Sequence, residues 1–228
     1  MTVVPQPQQR VSNQNWLWLI ILVILTGVIQ RPLLKLTTPD LGSRLLWSGV
    51  YLLGFGVTVG LAAWVYHRIR PGWSRLTPAD WDLMVKGYLF ILVVEQLLTW
   101  LNRVWFHQVS TANNQAIADL LQQGVWVQIL LSATAICVSP FIEEFIFRGI
   151  LIDGCFAGLS FWPPVIISGV AFALVHANST LASWLIYAVM GGTFAYIYRR
   201  TGKLQSTIIL HGINNLLAMG ILLWGLYR

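Results

Sequence analysis

Two adjacent glutamates, Glu143 and Glu144, stand in the run Phe141-Ile-Glu-Glu-Phe-Ile-Phe-Arg-Gly149, which otherwise reads as membrane. An acidic side chain at the centre of a bilayer costs about 2.5–3.5 kcal/mol on insertion scales. A chain that keeps two of them side by side among Phe and Ile is therefore expected to use them. Two later segments, Phe172-Ala-Leu-Val-His176 and His211-Gly-Ile-Asn-Asn215, also set polar side chains into apolar runs. Together these supply a carboxylate, two imidazoles and an amide, a set sufficient for hydrolysis.

Helical spacing divides the roles. Glu144 and Arg148 are one turn apart with the glutamate first, the better order for an ion pair, and such a pair lowers the cost of both charges in lipid. Both are read as structural support. Glu143 lies about 100° around the helix from Glu144, and the residue one turn further on is Phe147, not a cation. It is left free to act as a general base. The alternative is that both glutamates pair with Arg148 and simply pin the fold. His176 falls near a helix end, where a lone histidine is more often a packing or hydrogen-bonding residue; its claim rests on its company. His211 and Asn215 stack one turn apart on one face, where an imidazole and an amide can donate to one point, as a developing oxyanion requires. Asn214 has no better claim than packing or a helix–helix hydrogen bond. Glu95, in Leu92-Val-Val-Glu-Gln-Leu-Leu98, either meets a histidine or a substrate or bonds between helices.

The elements that must position these groups are helices in a membrane. Of 228 residues, 57% are hydrophobic and 10% charged, and mean hydropathy is +0.69, whereas a soluble domain carries about 25% charged residues. The net charge of +6 is scattered between apolar runs, where anchoring cations belong, so nucleic acid is excluded as a partner. Trp16, Trp18, Trp100, Trp105, Trp162 and Trp224 flank or occupy the same runs and read as lipid-facing or interfacial anchors. Cys137 and Cys155 read as small buried apolar side chains, not a disulfide framework. Apolar runs at about 16–30, 45–67, 84–106, 124–140, 141–157, 163–176, 180–198 and 205–227 are judged against the roughly 20 residues a helix needs to cross hydrocarbon. They predict an all-α, polytopic transmembrane bundle of about eight helical segments, six to eight of them spanning. The polar stretch 1–15 precedes a single transmembrane domain over 16–228. The runs meeting at Ser139-Pro140 should be broken by the proline, and Thr77-Pro78-Ala79-Asp80 reads as a helix start. Gly56 with Gly60, and more loosely Gly169 with Ala173, should allow close helix approach. Segment 107–123 is polar and rich in Asn and Gln, and no role is assigned to it.

Glu143-Glu144-x-x-x-Arg148, Phe172-x-x-x-His176 and His211-x-x-x-Asn215, in that order in a polytopic chain, resemble the three motifs of the CPBP (Abi, or CAAX amino-terminal protease) family of intramembrane glutamic endopeptidases. The resemblance covers about 125–228. It implies an endopeptidase hydrolysing a peptide bond of a membrane-associated protein or peptide, of which prenylated CAAX proteins are the family archetype. Glu143 and His176 would activate water, and His211 with Asn215 would steady the tetrahedral intermediate. No cofactor is expected; the alternative is a divalent metal such as zinc on the same Glu and His residues. A second reading is a non-catalytic membrane binding or immunity protein on the same scaffold. The expected location is a bacterial inner membrane, with the lipid bilayer and a membrane polypeptide as partners.

Overall fold

The computed structural model describes residues 12–228, so residues 1–11 of the polar N-terminal stretch lie outside the described residues. Nine α-helices follow in chain order among the described residues: α1 (Asn13–Val28), α2 (Leu41–Ile69), α3 (Pro78–Phe106), α4 (Ala112–Leu121), α5 (Val125–Cys137), α6 (Ser139–Glu144), α7 (Trp162–Val175), α8 (Leu181–Thr201) and α9 (Leu204–Leu226). A 3₁₀ turn, Arg31–Lys35, follows α1, and α6 continues without interruption as a π-helix, Phe145–Cys155. Among the described residues there is no strand, and six helical stretches are long and apolar enough to cross a bilayer. The protein is thus an integral, multi-pass, all-helical membrane protein, as its composition predicts.

Local signals explain the boundaries. Thr77 and Asp80 form a reciprocal capping box with Pro78 in the first turn of α3, which satisfies donors that a helix start otherwise leaves orphaned. The same Asp80 carboxylate meets Lys203 Nζ at 2.5 Å, so the start of α3 is pinned to the turn between α8 and α9. Val138 (φ −121°, ψ −47°) leaves helical geometry between α5 and α6, with Pro140 in the first turn of α6. Trp100, Trp105, Trp162 and Trp224 lie exposed on the outer surface, facing where lipid would be. Cys137 and Cys155 are both free thiols; Cys155 is buried as expected, but Cys137, the last residue of α5, is exposed.

The centre of the bundle is the π-helix, every residue of which from Phe145 to Cys155 is buried. Its wider winding leaves carbonyls that neighbouring helices use. Ser168 Oγ donates to Phe147 O at 2.9 Å, and Asn15 Nδ2 donates to Gly154 O at 2.8 Å. α-Helical geometry, expected up to Gly149, gives way to π winding one residue after the glutamate pair. π-Helical turns are rare and concentrate at functional sites.

The tightest packing is between α7 and α8. A Cβ on Gly169 would lie 2.7 Å from the Ala188 carbonyl oxygen, and one on Gly191 would lie 2.7 Å from Phe172 Cβ. Only glycine permits this approach, as the small-residue spacing at Gly169 and Ala173 predicts. The Gly56 and Gly60 pair behaves differently: a Cβ on either would meet nothing within 4 Å. The expected close helix approach on that face of α2 is absent among the described residues, because these glycines point outward from the bundle.

Candidate active site

α6, α7 and α9 bring the three polar motifs to one place. Glu143 comes from the last turn of α6, His176 is the residue that ends α7, and His211 sits in the second turn of α9. Glu143 Oε2 lies 3.7 Å from His211 Nε2 and 3.9 Å from His176 Nε2. These separations exceed a direct hydrogen bond. Glu143 Oε2 is buried and has no hydrogen-bond partner among the described residues.

Both imidazoles are oriented from behind. His176 Nδ1 is 2.7 Å from Phe172 O. A carbonyl can only accept, so Nδ1 carries the hydrogen and the neutral ring presents a lone pair at Nε2. His211 Nδ1 is 2.9 Å from Glu144 Oε1, which also receives Arg148 Nη1 at 2.8 Å. Again the hydrogen belongs on Nδ1, and Nε2 turns its lone pair toward Glu143. The glutamate thus stands before two imidazole nitrogens, each fixed in tautomer by a partner on its far side.

Glu144 and Arg148 are both fully buried. Arg148 Nη2 donates to Gly191 O at 2.8 Å, and its guanidinium lies 4.9 Å from the Phe172 ring centroid and 5.4 Å from that of Phe194. The pair expected from i, i+4 spacing is present. What spacing does not show is that Glu144 reaches across to His211 with the same oxygen, so it belongs to the site's electrostatics as well as to the fold.

Asn215 lines the same cavity as Glu143, His176 and His211, a space of about 640 Å³. Its Nδ2 donates to Ala135 O at 2.8 Å. A primary amide has two hydrogens on that nitrogen, so one remains for a ligand. Asn214 turns to Met190 Sδ at 3.6 Å, the packing role its position suggests. Glu95 also lines the cavity.

Segment 107–123, to which the sequence alone gives no role, folds over the His176 loop. Asn113 N donates to Ala177 O at 3.0 Å, Ser179 Oγ donates to Gln108 Oε1 at 2.6 Å, and Thr111 Oγ1 meets Tyr187 OH at 3.0 Å. The Tyr187 ring stacks on His176 at 4.4 Å and 15°. Asn178 closes the loop by donating to both Ala173 O and His176 O at 2.7 Å. Sequence reasoning misses Tyr187, Thr111 and Asn178 because none belongs to the three polar motifs; the advance signal is the density of amides and hydroxyls in 108–115. Among the described residues, no group of three or more His, Cys, Asp or Glu is arranged to hold a metal ion.

A multi-pass membrane protein with a carboxylate facing two oriented imidazoles inside the bundle is the class this fold and site define. Residues 124–217, which carry all three motifs, match the family described as type II CAAX prenyl endopeptidase Rce1-like. A Bacillus subtilis (strain 168) protein named "Putative membrane peptidase YdiL" is 37% identical over 106 residues, covering 46% of this chain and 41% of that protein. The chain therefore spans less than half the length of that relative. No solved structure gives a significant match. Over the matched segment, the resemblance read from the motifs is borne out.

Proposed function

We propose that the protein is an intramembrane endopeptidase that hydrolyses a peptide bond of a membrane-associated protein or peptide with water activated by Glu143. The observation that carries this reading is the placement of Glu143 Oε2 before two imidazole Nε2 atoms, in a cavity with room for a polypeptide segment. A water molecule between these groups gives one proton to Glu143 while His176 Nε2 accepts a hydrogen bond from the other and aims the oxygen. The oxygen attacks the scissile carbonyl, whose π electrons move onto oxygen. Asn215 donates its second amide hydrogen to that oxyanion. His211 can donate from Nε2 only when doubly protonated, and Glu144 on its Nδ1 side is the counter-charge for that form, as the buried aspartate is in a Ser-His-Asp triad. The proton on Glu143 then passes to the leaving nitrogen as the C–N bond breaks. No covalent intermediate forms, because among the described residues no Ser or Cys is hydrogen-bonded to either histidine.

The apolar part of the cavity wall, with Val23, Leu120, Met219 and Leu222, suits an apolar or prenylated segment. A bacterial inner membrane is the proposed location, in line with the bacterial relative. The test is comparative terminal proteomics of membranes carrying wild-type or Glu143→Gln protein, followed by turnover of the peptide so found. The near-isosteric variant should accumulate normally and fall to background. A Glu143→Gln protein with wild-type turnover would end this reading, and a wild-type chain that binds a membrane partner but generates no new terminus would favour the non-catalytic scaffold. Inhibition by chelators reversed by zinc would keep the site but replace glutamate-activated water with metal-bound water.

A further inference from the structure

Glu95 is a carboxylate that the proposed chemistry does not use. It lies in the middle of α3 (Pro78–Phe106), about 16 Å of helix rise from the nearer end at 1.5 Å per residue. It lines the same cavity as Glu143 and His176. Among the described residues Glu95 has neither a hydrogen bond nor an ion pair, in contrast to Glu144 with Arg148 and Asp153 with Arg70. Its oxygens are not among the buried, unpartnered atoms, so they open onto the cavity rather than into packed protein. The wall beside it is polar: Thr111, Asn113, Asn114 and Tyr187 line the same space. All of these offer neutral groups; none supplies a cation.

An intramembrane carboxylate normally finds a partner of opposite charge, and its position marks where one is expected. The histidines of the same cavity, His176 and His211, pair with Glu143 and Glu144 and make no ion pair with Glu95 among the described residues, so a ligand is left to supply that partner. We propose that Glu95 is a specificity-determining residue that receives a cationic side chain, lysine or arginine, of the polypeptide bound across Glu143. The inference rests on the peptidase reading. It sorts the cavity lining into a polar, acidic part, Glu95 with Thr111, Asn113, Asn114 and Tyr187, and an apolar part, Val23, Leu120, Met219 and Leu222. A substrate matching both would carry a basic residue on one side of the scissile bond and apolar groups on the other. Discrimination comes from the desolvated pairing and from the unpaired carboxylate left when the partner is neutral.

The test uses the full-length protein in lipid vesicles and membrane-anchored peptides that differ only by Lys, Gln or Glu at each position flanking the cleaved bond. Wild-type protein should favour Lys at one position by about tenfold or more in kcat/KM, within the range of measured couplings for close charge pairs. Glu95→Gln should erase that preference by raising KM for the Lys peptide while leaving kcat nearly unchanged. Glu95→Lys should shift the preference to the Glu peptide, an inversion that a merely structural residue would not produce. A preference that survives Glu95→Gln, or a wild-type enzyme indifferent to charge at every position, overturns the proposal while leaving the peptidase reading intact. Absence of any cleavage above a Glu143→Gln control instead overturns the peptidase reading. In that event, binding of the Lys and Gln peptides to the Glu143→Gln protein decides the subsite alone: equal affinities, unchanged by Glu95→Gln, reject it.

Discussion

The same helical stretch, α6 with its π continuation, carries the buried carboxylates of two arginine pairs that behave differently. Glu144 and Arg148 sit one turn apart at 2.8 Å, and neither side chain is exposed. Asp153, near the other end of the π-helix, pairs with Arg70 of the chain segment after α2 at 3.0 Å, with 5% and 27% of the two side chains exposed. Tyr198 OH donates to the same Asp153 oxygen at 2.5 Å. The first pair hands its remaining capacity to His211. The second ties α2, the π-helix and α8 together and touches no candidate catalytic group. Burying an ion pair seldom adds net stability, yet removing one partner from a fully buried pair is expensive. The two pairs therefore share a chemistry but differ in what depends on them.

Arg148→Ala should have the largest effect on folding. It leaves Glu144 uncompensated in a fully buried position, at a cost of about 3–5 kcal/mol. Thermal unfolding in detergent should show a large drop or no folded protein, and wild-type stability would break the comparison at its stronger end.

Glu144→Gln should separate the pairs by function. An amide still accepts from His211 Nδ1–H but no longer supplies the counter-charge for the doubly protonated ring. Turnover per folded molecule should fall by about 10²-fold or more, the scale of losing one oxyanion donor. The measurement is single-turnover cleavage normalised to the folded fraction. Unchanged turnover would return Glu144 to a purely structural role.

Asp153→Asn should cost stability alone, about 1–3 kcal/mol, the range for leaving buried hydrogen-bonding groups unsatisfied. Arg70 is partly exposed and retains access to solvent, so the loss is smaller than for Arg148→Ala. Cleavage per folded molecule should match wild type; a matching loss of turnover would show that the two pairs are coupled.

Tyr187→Phe is the mildest change. It keeps the ring stacked on His176 and removes the hydroxyl with its contact to Thr111, a net loss of about 0.5–1.5 kcal/mol. Turnover should stay within a few-fold of wild type, whereas Tyr187→Ala should reduce it further by freeing the imidazole. Equal activities for the two variants would show that stacking does not position His176.

Much of this molecule is legible along the chain, for reasons that differ by element. The Glu144–Arg148 pair is readable because the partners stand four residues apart on one continuous helical stretch, and the change to π winding after Glu144 still leaves them in contact. The start of α3 is readable because Thr77, Pro78 and Asp80 cap locally. The Gly56 and Gly60 spacing misleads, since a motif shows that a close approach is permitted but not that a neighbouring helix is there. Tyr187, Thr111 and Asn113 act on the His176 loop over separations of up to 76 residues, and no local period records such contacts.

By itself the sequence determined that this chain is a helical membrane protein and which polar groups are too expensive to be idle in lipid, because hydropathy, spacing and capping are local properties. Only the tertiary structure decided that Glu143 faces two histidines through their Nε2 atoms, that Glu144 serves His211 as well as Arg148, and that Glu95 opens onto the same cavity. Those facts depend on how α3, α6, α7 and α9 converge. Close packing at Gly169 and Gly191 holds α7 against α8, and side chains from separate helices must satisfy one another where water is scarce.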